Sequence, residues 1–141
     1  MTDKVVIVGA FKKSLSFLGG MLVGAFLGQL GIALPFHEQG ILLSLIFLGL
    51  CLFTHRRAES FQSTWILCLF GSFHGNSHGF EVTQMNFDGA VLSGLLISTG
   101  ILHCVGIFVM FSIRSVFKVE KENILLRGLG AVLMGSVLFF L

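Results

Sequence analysis

Charge is scarce in this chain. Only 11% of its residues are Asp, Glu, Lys or Arg, against about 25% in soluble domains, so there is too little polar surface to coat a water-soluble globule. Proline is nearly absent. Pro35 is the only one, and it fits a turn between two apolar runs. The cysteines Cys51, Cys68 and Cys104 all fall inside apolar segments with no CxxC spacing, so they read as small buried hydrophobes rather than disulfides or metal ligands. No GxxxxGK[ST] element occurs, which leaves no phosphate-cradling loop. No linker, low-complexity tract or long charge run marks off a second domain. The opening MTDKVV leads into no apolar run with a cleavage-site pattern, so no signal peptide is read.

What remains is apolar: 55% hydrophobic residues, with sixteen Phe and eighteen Gly, and glycine is enriched in transmembrane helices. A membrane-crossing helix takes roughly 17–25 residues. Residues 14–36, 39–54, 61–80, 89–113 and 124–141 offer five such runs, the second somewhat short. Val5 to Ala10 is apolar but too short to cross. The expected fold is all-α, a polytopic transmembrane bundle of about five spans forming one domain over residues 1–141.

The basic residues agree with that count. Lys4, Lys12 and Lys13 precede the first run; Arg56 and Arg57 separate the second from the third. Arg114, Lys118 and Lys121 follow the fourth, and Arg127 opens the fifth. The connections at His37–Glu38 and Glu81–Asp88 carry no Lys or Arg. Five crossings thus put every basic residue on one side, which the positive-inside rule makes cytoplasmic. The expected protein is a multi-pass one of the inner membrane, N-terminus in and C-terminus out. Gly20, Gly24 and Gly28, and again Gly71, Gly75 and Gly79, recur at spacing four, a pattern that lets helix backbones approach closely.

One stretch breaks the apolar monotony. In "GSFHGNSHGFE" His74, His78 and Glu81 stand at i, i+4 and i+7, so a helix puts them on one face. The glycine ridge is offset from them by one residue. Polar groups facing lipid are costly, so these should point inward. Neutral imidazole with carboxylate suits a borderline divalent cation such as nickel, cobalt or zinc; interhelical hydrogen bonds and a solvated Glu81 are the plainer alternative. His103, in "STGILHCVGIF", lies near mid-helix and reads either as the next ligand inward or as a structural hydrogen-bonding group. Glu38, beside His37 at the outer end of the second helix, either collects cations or simply favours the helix N-terminus. His55 beside Arg56 and Arg57 reads as interfacial, and Arg127 as snorkelling.

At these residues the sequence resembles the HupE/UreJ family, small membrane proteins accessory to hydrogenase and urease. "FHGNSHGFE" is similar to the family's FHGxAHGxE element, with Ser77 in place of alanine. "GIALPFHEQGILLSLIFLGL" resembles its Leu-Pro-x-x-Glu-x-Gly-Ile hairpin, with Glu38 as the acid. "ILHCVGI" resembles its Leu-His-x-x-Gly element, giving His103 and Gly106, and "VGAFKKSLSFLGGMLVGAFLG" its cytoplasmic turn. Members usually begin with a signal peptide and a helix carrying His-Pro-x-x-Gly-x-Asp-His. Nothing here matches that motif, so the resemblance is to a short form in which Val5 to Ala10 corresponds to the inner tail of that helix.

The resemblance implies a nickel or cobalt permease-like protein. The expected function is uptake of a divalent transition metal, nickel first, into the cytoplasm for hydrogenase or urease maturation, with His74, His78, Glu81, His103 and Glu38 as metal residues. The ion is cargo, and no tightly bound cofactor is expected. Expected partners are the divalent ion, the lipid bilayer, and either a second copy or hydrogenase or urease maturation proteins, with no nucleic acid. The alternative is a metal-binding or scaffolding accessory protein that does not transport. A haem-b carrier using His74 or His78 with His103 is a third possibility. An enzyme is not expected, because His74-x-x-x-His78 has Gly75 where the HExxH pattern requires glutamate.

Overall fold

The computed structural model describes residues 3–54, 64–85, 89–116 and 119–137. Five helices account for nearly all of them: α1 (Asp3–Gln29), α2 (His37–Thr54), α3 (Thr64–Gln84), α4 (Gly89–Val116) and α5 (Val119–Val137). There is no strand among the described residues. His55, Arg56, Arg57, Asp88 and Lys118 lie outside them.

The ends of the helices depart from the apolar runs, for reasons of backbone chemistry that hydropathy does not register. The expected first span, 14–36, is displaced. Val5 to Ala10 belongs to the opening turns of α1, and the helix stops at Gln29. Gly31 takes φ +76°, its N–H donates to the Gly28 carbonyl at 2.9 Å, and the Ile32 N–H donates to the Leu27 carbonyl at 3.0 Å. This pair of bonds is the Schellman cap, which needs a residue free to adopt the left-handed region. Residues 30–36 are therefore a connection, although five of the seven are apolar. At the same end of the bundle, α3 runs on past residue 80 to Gln84, so Glu81 sits within a helix rather than in a loop.

Packing follows glycine. A Cβ built on Gly20 or Gly24 would overlap the carbonyl of Cys68 or Ser72, and one on Gly71, Gly75 or Gly79 would overlap that of Phe17, Met21 or Ala25. The two ridges expected from sequence face each other, backbone against backbone. Association without a hydrophobic drive depends on such close dispersion contact, and Cα–H groups set against carbonyls add to it. The register rises together on both helices (20 with 68, 24 with 72), so α1 and α3 are parallel. A second glycine contact holds α2 to α5: a Cβ on Gly130 would lie 2.5 Å from the Gly49 carbonyl and 2.7 Å from the Phe53 nitrogen, while one on Gly49 meets Met134. That register is antiparallel. Gly40 against Phe73 and Phe47 against Phe70 make α2 antiparallel to α3 as well.

Large side chains are outside. Trp65 is 84% exposed and Phe108 73%, whereas the most buried positions include Ala25, Met21 and the glycines. This inverts the distribution of a water-soluble domain, in which the large apolar side chains are those most often buried. Ile7–Gln29, His37–Thr54 and Ala90–Ile113 are long and apolar enough to cross a membrane. In α5 the apolar part, Ile124–Val137, is shorter. α3 falls below that apolarity because it carries two histidines, an asparagine, a glutamate and a glutamine. α4 is the most loosely held: Leu92 is its one buried position among those described.

Candidate metal site

The five residues singled out from sequence separate into three places. His74, at the middle of α3, and His103, at the middle of α4, pack against the same ring: the Phe17 centroid is 5.4 Å from each imidazole. His78 and Glu81 form a second pair one to two turns further along α3, with Nδ1 and Oε2 3.7 Å apart and both side chains partly exposed. Glu38 is exposed in the first turn of α2 and joins neither pair. No three His, Cys, Asp or Glu side chains among the described residues are grouped closely enough to hold an ion.

The tautomers of the two inner histidines follow from their hydrogen bonds. His74 Nδ1 lies 3.0 Å from the Phe70 carbonyl, and His103 Nδ1 lies 2.8 Å from that of Thr99. A carbonyl oxygen only accepts, so in each ring Nδ1 must carry the proton. The neutral imidazole then keeps its lone pair on Nε2, the arrangement usual in a metal-ligating histidine whose other nitrogen is held by a backbone carbonyl. His37 makes the same bond to the Leu34 carbonyl at 3.0 Å.

Both inner histidines line a cavity of about 330 Å³, together with Lys13, Ser14, Phe17, Ser44, Phe47 and Phe70 among others. It draws on α1 to α4 and runs from the His74–Phe17–His103 layer toward the end of the bundle that holds Lys13. Neither His78 nor Glu81 lines it. The glycines explain why His74 is fixed. Gly71 and Gly75 seat α3 against the α1 backbone, and the residue before Gly75 is thereby held at the margin of that contact, next to Phe17.

Two residues of this region were not legible as functional. Asn76, between the histidines, is completely buried. Its Oδ1 accepts from the Leu34 N–H at 2.7 Å, and its Nδ2 donates to the Ile32 carbonyl at 2.8 Å and the Gly24 carbonyl at 3.3 Å. It ties the 30–36 connection to α3. A lone amide in an apolar helix was the available signal, since polar groups at that depth take partners. Phe17 gave no signal, being one phenylalanine among sixteen.

The family model described as HupE / UreJ protein matches residues 6–140. Protein HupE of Rhizobium leguminosarum bv. viciae is 34% identical over 92 residues, which cover 65% of this chain and 48% of that protein. The match thus spans about half the length of the curated relative. No solved structure matches. With helices packed on glycine ridges and a family match along almost its whole length, this chain belongs to the HupE/UreJ family.

Proposed function

We propose that the protein is a multi-pass inner-membrane carrier that passes a divalent transition metal, nickel in the leading case, into the cytoplasm for hydrogenase or urease maturation. One observation carries the reading: two imidazoles from different helices, each with Nδ1 tied to its own backbone, border one cavity. Glu81 and Glu38 collect the hydrated ion at the outer end. His78, beside Glu81, replaces part of its water shell, and His74 with His103 receives it at mid-bundle. The ion leaves through the cavity toward the basic end. Sites of one or two neutral nitrogens suit this work, because conduction requires binding weak enough to release. A cage of three or more ligands would retain the ion.

The test is Ni²⁺ uptake by proteoliposomes holding the purified protein. His74→Ala and His103→Ala should each reduce the initial rate at least tenfold, with unchanged insertion and elution on size exclusion. Ni²⁺ binding to the wild type with no uptake would favour the non-transporting accessory role. Equal uptake by the wild type and the double variant would remove the histidines from the path.

A further inference from the structure

We infer that the Phe17 ring is the gate of this path, separating the His78–Glu81 pair from the inner cavity. The inference rests on the transport reading and adds to it a residue with no metal-binding chemistry of its own. Phe17 is in ring contact with both His74 and His103. An ion held by two imidazoles needs both nitrogens at about 2.0–2.1 Å, the distance known for zinc, which brings them within about 4 Å of each other. A ring that packs against both imidazoles competes with the ion for that position. The cavity ends at this layer: Phe17, His74 and His103 line it, while His78 and Glu81 do not. The outer pair thus stands apart from the cavity that the two other imidazoles share.

The closely packed backbones say what can move. α1 and α3 touch carbonyl to glycine at six positions, so neither can slide past the other without collision. A rotation of the Phe17 side chain requires no such displacement. The room nearest to it lies between α1 and α4, where a second cavity of about 430 Å³ is lined by Ser14, Leu18, Gly100 and His103 among others. Rotation would free the two imidazoles for one ion and join the outer pair to the cavity in the same movement.

Proteoliposomes with an entrapped Ni²⁺-quenched dye test this with NiCl2 alone. Phe17→Ala should raise the initial rates of both influx and efflux at least fivefold, and Phe17→Leu should raise them by a smaller factor. Adding His74→Ala to Phe17→Ala should abolish the gain. Wild-type rates in both Phe17 variants, with His74→Ala still impaired, would overturn the gate and leave the transport reading standing. Loss of uptake in both variants, with size-exclusion profile and unfolding midpoint unchanged, would mean that the ring aids passage and would overturn the gate too. Uptake insensitive to His74 and His103 would instead overturn the transport reading beneath it.

Discussion

Alanine at Gly28 and alanine at Gly128 should act in opposite directions. A Cβ on Gly28 would stand 2.5 Å from the Asn76 carbonyl oxygen and 2.6 Å from the Phe80 nitrogen, both backbone atoms, whereas ordinary contact begins at 3.4 Å. No rotamer can relieve this, so α1 and α3 must part by about 1 Å at that level. Overpacking of this kind costs about 1–3 kcal/mol, offset by the roughly 0.5–1 kcal/mol that alanine gains over glycine inside a helix. The net should be a loss of up to about 2.5 kcal/mol. Gly128 has nothing within 4 Å of its built Cβ, so there alanine should keep the gain of about 0.5–1 kcal/mol. Thermal unfolding in detergent, followed by fluorescence-detected size exclusion, reads both. A Gly28→Ala midpoint at or above that of the wild type would refute the account of the α1–α3 contact, as would shifts of the same sign in the two variants.

Asn76→Ala removes three hydrogen bonds and orphans the Leu34 N–H; a loss of about 2–3 kcal/mol is expected, read as a lower unfolding midpoint, with proteolysis near residues 30–36 as a local check. Phe36 holds φ +59° and is 76% exposed. Since a left-handed conformation costs an L-residue about 1–2 kcal/mol, Phe36→Gly should be neutral or stabilising by up to about 1 kcal/mol after its larger unfolded-state entropy is counted. A clear drop in midpoint would show that the ring makes contacts not accounted for. Glu81→Gln keeps the shape of the side chain beside His78 but removes its charge. It should raise the Ni²⁺ concentration for half-maximal uptake several-fold and leave the maximal rate near that of the wild type.

Much of the helix arrangement was legible because its causes are periodic. Glycines at spacing four announce a ridge wherever they occur: Gly20, Gly24 and Gly28 lie against the α3 backbone at Cys68, Ser72 and Asn76, and Gly71, Gly75 and Gly79 against the α1 backbone at Phe17, Met21 and Ala25. Ends of helices are set by single residues instead. Gly31 and its cap end α1 inside an apolar run broken only by glycines and Gln29, and a hydropathy reading carries the span on to Phe36. The polar residues were found by type, yet their grouping was not. Sharing a helix face places His74, His78 and Glu81 in line, but whether they meet depends on the neighbouring helices, and α1 and α4 bring Phe17 and His103 to His74 alone. The contact between Gly49 and Gly130 was missed for a similar reason, since one glycine per helix has no period.

Glycine after each histidine now has a physical explanation. A helix carrying two imidazoles, an amide and a carboxylate is too polar to face lipid, and α3 is indeed not among the helices apolar enough to cross by themselves. It can stand at that depth only if its polar faces are covered. Gly75 and Gly79 bring the α1 backbone against α3 so closely that Asn76 reaches the Gly24 carbonyl and the 30–36 connection. The same closeness leaves the residue before each glycine at the edge of the contact, neither buried in it nor free to face lipid. At Gly75 that edge opens on Phe17, His103 and the cavity; at Gly79 it opens toward Glu81 and the end of the bundle. The repeated His-Gly unit thus does two jobs with one spacing. It packs α3 closely against α1, and it spaces two imidazoles one turn apart along the margin of the packed seam.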